Sequence, residues 1–544
     1  MISKLNKGYQ DSIFLTFILL STLLPSFGAI DNNAIRWFAL SLVSFTYLIY
    51  SIRSGQSRLV LSKNKILFIS FVFFYLLLSV FISKNSIESI IVLYKIIILI
   101  VVFLISYNVF KKSDYSITIC AVFSVSLFLE SLVVLFQFFS SLEGLSGIAS
   151  NPNISSSSIL IKLPFIIYFI YQVKKKLNKF LLRLIEYLSI IGIIILGSRL
   201  GLFSLFIIYF FYFFWYKNHR LNQVFSIVVI FTFSFFINIS QTVNNFDLSS
   251  LRIEKLNNDE SANQRLNFYK KAIDLSFNKP FTGYGLGSWK YESLPYDDDN
   301  NNNDILVPYY THNDFLQILF ELGIIGLAAY LFFLIILFKK ILFLEDKLRG
   351  ILIIIFIVFV INSLLNFPIH RSQEIIPFIL IASMIFSYSK KTNESKGKLS
   401  FYILICLITP ILGLSFLEHN SLKVQGKLIS DYNLGTFSLT INDINDINYL
   451  IPNLSANGVP VSTYISRYYF ENKQYNKSLS LLNFSSKANY KDIMTQELLL
   501  KNYIFQGKNK LALDLLKELI SIYPNNSAYN QLYFSLISDL KFND

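Results

Sequence analysis

Five short polar motifs interrupt long apolar runs, and they contain residue types that bind anions or move protons. In chain order they are Asn151-Pro152-Asn153, Ser198-Arg199, Arg265, His312-Asn313 and His370-Arg371. Guanidinium groups bind phosphate oxygens in bidentate fashion. A histidine with an ordinary pKa of about 6.5 can accept a proton near neutral pH. Taken singly, each motif has a simpler explanation, because Asn-Pro is a turn signal and an arginine at a membrane edge is commonly a headgroup anchor.

Other motifs suggest chemistry that the surrounding sequence does not support. The glycines of Gly283-Tyr284-Gly285-Leu286-Gly287 lack the strand–helix unit that a nucleotide-binding fingerprint needs. The acidic stretch 297–304 lacks the glycine and the closing glutamate of an EF-hand. Cys120 and Cys406 lie far apart inside apolar runs, which fits neither a disulfide framework nor a zinc site. We therefore expect no metal site and no cofactor.

The composition excludes an ordinary soluble enzyme. Of the 544 residues, 53% are hydrophobic and 15% are charged, and the mean hydropathy is +0.51. Soluble domains carry roughly 25% charged residues. The sequence predicts an all-α, polytopic membrane helical bundle.

Thirteen segments are long and apolar enough to span a membrane, which needs about 20 residues each. Allowing for uncertain edges, we predict 12 to 14 spans. The thirteen segments are 12–30, 35–52, 65–83, 87–110, 115–139, 155–173, 181–198, 200–216, 221–240, 315–338, 350–366, 373–389 and 399–417. The first is too long for the apolar part of a signal peptide, so we expect an uncleaved span.

The distribution of basic residues predicts the orientation. With the N-terminus in the cytoplasm, the inner loops hold 23 lysines and arginines. The short outer connections hold only Arg36, Lys84, Arg199 and Arg371. This asymmetry is the positive-inside pattern, and it accounts for much of the net charge of +14 without nucleic acid. The C-terminus is then periplasmic.

Four ionisable residues fall in the outer halves of predicted spans: Lys95, Glu130, Lys162 and Glu321. Ionisable groups inside a membrane are costly and therefore point towards function. The alternative is that they pair with one another or snorkel and only hold the bundle together. Their shared depth suggests a polar cavity that opens outwards.

We divide the chain into a transmembrane domain, 1–417, with a large outer loop at about 241–314, and a soluble periplasmic domain, 418–544. In the second domain Ser478-Leu479-Ser480-Leu481-Leu482 recurs as Ala512-Leu513-Asp514-Leu515-Leu516, 34 residues later. This is the period of tetratricopeptide repeats, which stack helix pairs into a concave binding face. An irregular helical tail is the alternative.

The ordered set of motifs resembles the O-antigen ligase superfamily, which includes O-antigen ligases, O-antigen polymerases and protein O-oligosaccharyltransferases. The resemblance covers about residues 145–385. Its remaining elements are Pro280-x-Thr282-Gly283 leading into the glycine cluster, and Glu321-x-Gly323-x-x-Gly326 after His312-Asn313. The first five spans diverge, and the repeat tail is outside the family core.

The resemblance implies a membrane glycosyltransferase that moves a glycan from undecaprenyl diphosphate to an acceptor hydroxyl on the periplasmic face. By matching position, Arg199 and Arg265 would hold the diphosphate, with Arg371 as a further candidate, and His312 would be the catalytic residue. Asn151, Asn153, Ser198, Asn313 and His370 would support them. His312 could take the acceptor proton or orient the hydroxyl.

O-antigen ligation to lipid A–core is the function we favour. An O-antigen or capsule polymerase and a protein O-oligosaccharyltransferase remain open, as does, in another class, a lipid-linked glycan transporter. The expected partners are the lipid-linked donor, a lipid A–core, glycan or protein acceptor, membrane lipids, and a protein bound through 460–544, with no nucleic acid. The expected location is the bacterial inner membrane.

Overall fold

The computed structural model describes residues 2–56, 58–140, 145–215, 220, 224–228, 232, 260–293, 309–388, 396–522 and 527–543. The predicted span 221–240 and the acidic stretch 297–304 therefore lie largely or wholly outside the described residues. The structure is 79% helical with almost no strands, which confirms the all-α fold class.

The first part of the chain forms long apolar helices. They are α1 (Ile2–Ser21), α2 (Asn33–Arg53), α3 (Lys63–Ile82), α4 (Ser86–Lys112), α5 (Ser116–Phe139), α6 (Pro152–Gln172), α7 (Lys176–Leu196) and α8 (Arg199–Trp215). After the large loop come α9 (Glu260–Ser276), α10 (Trp289–Glu292), α11 (Asp314–Leu342), α12 (Asp346–Leu365), a 3-10 turn (Pro368–His370), α13 (Ser372–Ser387) and α14 (Phe401–Leu434).

Eight helices in the described residues are long and apolar enough to cross a membrane. They are α2, α3, α4, α5, α6, α11, α12 and α14, and α8 and α13 are shorter apolar helices. The chain is thus an integral membrane protein, although the predicted number of thirteen spans is not confirmed. Of the apolar window in α6, 89% is buried, against 17% in α3, so α6 is central and α3 is peripheral.

A two-stranded antiparallel sheet joins two segments that are distant in sequence. Strand β1 (Arg58–Ser62) follows α2, and its partner β2 (Lys396–Ser400) precedes α14, with Arg58 opposite Ser400. The charge distribution predicts both segments on the cytoplasmic side. The pairing agrees with their being on one side, while the orientation itself stays a prediction.

The connections predicted on the outer side meet at the opposite end of the bundle. The α1–α2 connection contacts both the loop before α6 and the α12–α13 turn: Asn32 donates to the Ile148 carbonyl, and Asn33 donates to the His370 carbonyl. The α3–α4 connection contacts α10, where the hydroxyls of Ser83 and Tyr291 share a hydrogen bond of 2.6 Å.

The tail is a series of short helices. They are α15 (Ile441–Asn445), α16 (Val461–Glu471), α17 (Tyr475–Ala488), α18 (Ile493–Phe505), α19 (Asn509–Ile522) and α20 (Ser527–Asn543). Helices α17 and α19 begin 34 residues apart, and the corresponding Leu482 and Leu516 are both fully buried. The assignment to tetratricopeptide repeats stays a prediction.

No break separates the membrane part from the tail. Helix α14 runs without interruption from Phe401 to Leu434 and so crosses the predicted domain boundary at 417/418. Two polar residues at that boundary, Glu418 and His419, are buried. Lys95 on α4 forms a 2.8 Å ion pair with Glu418. This pair stabilises a buried charge on α14 at the point where the apolar segment of that helix ends.

Candidate active site

The Asn-Pro-Asn motif begins α6. The Asn151 side chain accepts hydrogen bonds from the backbone N–H groups of Asn153 and Ile154, at 2.9 and 3.2 Å. Pro152 occupies the first helical position, where its missing N–H costs nothing. Asn151 is therefore the N-cap of a central helix, and its side-chain oxygen is engaged by the backbone.

The second motif lies directly beside the first. Gly197 ends α7 in the left-handed conformation, and the Ser198 hydroxyl then donates to the Asn153 side chain at 2.8 Å. The same Ser198 oxygen accepts the N–H of Gly201 at 3.1 Å. These bonds hold Arg199, the first residue of α8, next to the start of α6.

His312 lies in a tight turn before α11. Its φ is +57°, a left-handed value that is uncommon outside glycine and that tertiary structure must enforce. Asn313 caps α11 by accepting the N–H of Leu316 at 3.0 Å, and the Thr311 hydroxyl donates to the Asn313 carbonyl at 2.7 Å. Tyr269 on α9 donates to the His312 carbonyl at 2.9 Å.

The imidazole of His312 lies edge-on against Phe367, with 5.0 Å between ring centroids. Its Nδ1 is buried and has no hydrogen-bond partner among the described residues. Burial, together with the positive charges of Arg265 and Arg371, lowers the pKa of His312 to about 4. The ring is thus neutral at pH 7 and has an acceptor nitrogen to offer.

Arg265 lies on α9, one helical turn before Tyr269. Its Nη1 donates to the Leu365 carbonyl at the end of α12, at 3.3 Å. Because Tyr269 bonds to His312, the same face of α9 reaches both the histidine turn and the end of α12. Arg265 therefore lies close enough to His312 to influence its protonation.

Arg371 follows the 3-10 turn and is held from two sides. Its Nη1 pairs with both carboxylate oxygens of Asp31 at 3.3 Å. Its guanidinium carbon lies 5.6 Å from the Tyr310 ring centroid and 5.3 Å from that of Phe367, within cation–π range. The neighbouring His370 ring lies 4.6 Å from Tyr310, and burial, with Lys95 and Arg371, lowers its pKa to about 3.

An aromatic cluster joins these motifs into one neighbourhood. Tyr310 and Phe367 stack at 4.4 Å and pack with Ala149 and Ile154 from the start of α6. His312, His370 and Arg371 contact these rings directly. The Asn151 motif lies in the chain between Ala149 and Ile154, and Ser198 bonds to Asn153. Arg265 bonds to the Leu365 carbonyl, two residues before Phe367. The sequence-predicted residues therefore lie at one end of the bundle.

The glycine cluster has a different role, because it packs against a break in α11. Gly323 interrupts that helix with φ +63°, and Ile324 donates to the Pro280 carbonyl instead of to its own helix. In return, Tyr284 and Gly285 donate to the Phe320 and Glu321 carbonyls. A Cβ on Gly283 would lie 2.4 Å from the Glu321 carbonyl carbon, so the approach requires glycine.

The ionisable residues inside the spans all have polar partners, and three of the four are in ion pairs. Lys162 bonds to Glu130 and also to the hydroxyls of Ser126 and Ser158. Glu321 accepts the N–H of Gly287 at 2.9 Å and the Gln317 amide at 3.1 Å. Lys95 pairs with Glu418, as described above. These contacts favour the structural explanation for all four residues over a direct role in chemistry.

Sequence reasoning missed Asp31, Tyr269, Tyr310 and Phe367 as parts of the site. Asp31 belongs to a polar tripeptide, Asp31-Asn32-Asn33, between two apolar segments, and this was the available signal. Within the described part of the chain, no group of three or more His, Cys, Asp or Glu could hold a metal ion. The absence of a metal in the mechanism stays a prediction.

Residues 186–331 match the protein-family model described as O-Antigen ligase. A comparison with curated proteins finds no match. The matched segment includes Arg199, Arg265, His312 and the glycine cluster, and it lies within the range of the predicted family core. This match supports the resemblance to the O-antigen ligase superfamily, and with it a membrane glycosyltransferase of the O-antigen ligase and polymerase type.

Proposed function

We propose that the protein transfers a finished glycan from undecaprenyl diphosphate to a hydroxyl of lipid A–core, on the periplasmic face of the inner membrane. The observation that carries this proposal is the neutral, left-handed His312 with a buried acceptor nitrogen, lying close to Arg265 and Arg371. A neutral imidazole can accept the proton of the acceptor hydroxyl, and the neighbouring guanidinium groups can stabilise an anionic leaving group such as a diphosphate.

In the proposed reaction the acceptor oxygen attacks the anomeric carbon, and the bond from that carbon to the diphosphate oxygen breaks. Undecaprenyl diphosphate leaves with the bonding electrons. Arg199 and Arg265, with Arg371, stabilise the negative charge that grows on the leaving oxygen, which is where fixed donors help most. His312 accepts the hydroxyl proton or orients the hydroxyl through the same nitrogen.

A gel of lipopolysaccharide from cells with wild-type protein, a deletion or His312→Ala tests the choice of acceptor. Bare core together with accumulating lipid-linked glycan supports the ligase. Core carrying a single repeat would replace it with the polymerase. An unchanged ladder would contradict both assignments and direct the search to glycoproteins, as expected for a protein O-oligosaccharyltransferase. If the glycoproteins are also intact, a lipid-linked glycan transporter becomes the better proposal.

His419→Ala is a matched control, because His419 is a buried histidine on α14, outside this site.

Transfer by the purified protein tests the diphosphate assignment. Arg199→Ala and Arg265→Ala should each lower transfer by 10-fold or more, since each removes a charge-assisted contact to phosphate. Arg467→Ala is the control, because this arginine lies in the tail over the rings of Tyr432 and Phe437. Full activity of either site variant would contradict the assignment of that arginine to the diphosphate. Unchanged activity after removal of divalent cations with a chelator is the expected result for metal-independent transfer.

For the tail we propose that residues 460–544 recruit the acceptor or a partner protein. The support is a rigid junction: the side chains of Asn85 and Asn453 form two reciprocal hydrogen bonds of 3.0 and 3.1 Å. Lys491 donates to the Glu292 carbonyl at 2.8 Å, and Lys84 forms a 3.2 Å ion pair with the Glu292 carboxylate. A surface held in this way would present a bound partner at a constant position.

Removal of the tail tests recruitment. The cut is best made after Gly435, because α14 ends at Leu434 and remains intact. Loss of co-purifying partners or of transfer supports the proposal, whereas unchanged partners and activity count against it. Asn453→Ala in the full chain serves as a companion, since it weakens the junction while keeping the recruiting helices.

A further inference from the structure

The connection between α1 and α2, together with the first turn of α2, contains polar residues that the protein buries. Asn32, Asn33 and Arg36 are each less than a tenth exposed. Asn32 donates to the Ile148 carbonyl at 2.8 Å, and Arg36 donates to the same carbonyl at 2.9 Å. These contacts tie the connection to the loop that precedes Asn151.

The same connection also holds the α12–α13 turn. The Asn33 amide donates to the His370 carbonyl at 2.9 Å, and its oxygen accepts both the N–H and the hydroxyl of Ser372. These bonds bracket Arg371 on both sides along the chain. Asp31 then contacts the Arg371 guanidinium itself.

The guanidinium of Arg371 is held but not saturated. Asp31 engages Nη1, and the rings of Tyr310 and Phe367 limit the tilt of the group. The Nε of Arg371 is buried and has no hydrogen-bond partner among the described residues. A buried donor without a partner is costly, and it is commonly explained by an ion or ligand that completes it.

We propose that Asp31 is a positioning residue, which orients Arg371 so that its remaining donors face the diphosphate of the lipid-linked donor. This inference rests on the proposed function and extends it to a segment outside the matched family region. The carboxylate fixes one edge of the guanidinium, and the fork geometry then sets the direction of the other edge. Asn32 and Asn33 hold the carboxylate relative to the other outer loops.

Asp31→Asn is the informative variant. Asp31 Oδ1 also accepts the backbone N–H of Asn33 at 2.9 Å, and an asparagine keeps that oxygen while removing the charge. The probe is undecaprenyl diphosphate without sugars, added to purified full-length protein. We expect the variant to bind it about 10-fold more weakly, because a misoriented arginine loses its bidentate contact.

Asp11→Asn is the matched control. Asp11 on α1 is likewise paired with a cation, Lys112 at the C-terminal end of α4, at 3.2 Å, and its side chain is 6% exposed, against 27% for Asp31. Its loss removes a comparable ion pair, so thermal stability should fall while affinity for undecaprenyl diphosphate is unchanged. Equal weakening by both variants would mean a general loss of stability and would overturn the proposal.

A double variant separates orientation from an independent effect. Arg371→Gln should also weaken binding, and adding Asp31→Asn to it should cause no further loss, because the group being oriented is gone. Normal binding by Asp31→Asn or by Arg371→Gln, or a further 10-fold loss in the double variant, would overturn the inference. If Arg199→Ala and Arg265→Ala also bind normally, the proposed function itself fails, and that outcome is distinct.

Discussion

Two parts of the outer end contain comparable polar motifs, yet they differ in how fully the protein satisfies them. In the glycine cluster the N–H groups of Gly285 and Gly287 are bonded to Glu321, and Gly283 lies against the backbone at the break in α11. Around the histidine turn, Nδ1 of His312 and Nε of Arg371 have no partner among the described residues. We interpret the bonded N–H groups of the glycine cluster as scaffold, and our proposal assigns the two unpartnered nitrogens near the histidine turn to ligand binding.

The two asparagines that cap helices α6 and α11 share a local conformation. Asn151 and Asn313 each follow a residue in the left-handed conformation, Ser150 at φ +55° and His312 at φ +57°. Each asparagine then begins a long helix of the bundle. The chain thus uses one local device twice, and only in the second case does the left-handed residue have a side chain suited to catalysis.

The largest expected effect comes from the glycine cluster. Gly283→Ala should abolish accumulation of folded protein in membranes, because the new Cβ would meet the Glu321 backbone and its φ of +67° disfavours alanine, together costing about 3 kcal/mol or more. Gly28→Ala is the control: its φ is +87°, but nothing lies within 4 Å, so the cost is about 1 kcal/mol. Near-normal amounts of Gly283→Ala protein would show that the junction can relax.

His312→Ala should leave protein abundance unchanged and lower transfer by about 100-fold or more, the usual range for a lost proton-transfer group. His312→Gln separates the two roles. An amide can orient a hydroxyl but cannot accept its proton. If His312 acts as a general base, both variants should lose the same amount of transfer activity. Recovery of most activity by glutamine would favour orientation, and wild-type rates in both variants would remove His312 from the mechanism.

The pH profile should show how strongly the arginines act on His312. With a pKa of about 4, the ring stays unprotonated down to that pH, so kcat/KM should be flat from about pH 5.5 to 8 and fall only towards pH 4. Arg265→Gln removes one positive charge and should move the acidic limb to higher pH in the residual activity. An acidic limb near pH 6.5 in the wild-type protein would contradict a buried neutral histidine.

The smallest effect is expected at Asn151. Asn151→Ala should cost about 1 kcal/mol in the free energy of unfolding, as for a lost N-cap, and should change transfer by less than about threefold. Asn151→Asp keeps the acceptor oxygen and should restore stability, measured by thermal unfolding in detergent. A large loss of transfer with normal stability would instead place Asn151 in contact with substrate.

Much of the fold followed from hydropathy, and its exceptions have a common cause. The predicted span 315–338 agrees with α11 to within a few residues at each end, and so does 350–366 with α12. The helix that contains the predicted span 399–417 continues to Leu434, and hydropathy did not indicate this continuation, because Glu418 is paired with Lys95 and Tyr94 on another helix. Likewise, the β1–β2 pairing joins strands that are distant in sequence. Hydropathy reads one segment at a time and cannot detect such partners.

The residue types of the candidate site could be predicted from the sequence, but the role of each residue could not. The motifs gave His312 and the arginines, yet nothing in Asn151-Pro152-Asn153 distinguishes a helix cap from a ligand. Asp31 was missed for a simpler reason: its polar tripeptide does not indicate a partner, because Arg371 lies 340 residues away in the chain. Only the folded arrangement of the outer loops brings these two residues together.

The continuous helix α14 has a mechanical consequence. At about 1.5 Å per residue, its polar half from Glu418 to Leu434 forms a stiff post of about 25 Å. A post of fixed length, clamped by Glu418 at its base and by the Asn85–Asn453 contact beside it, cannot swing like a tether. Under the proposal that the tail recruits the acceptor, this fixed length favours acceptors in which the reactive hydroxyl and the feature that the tail binds are a matching distance apart.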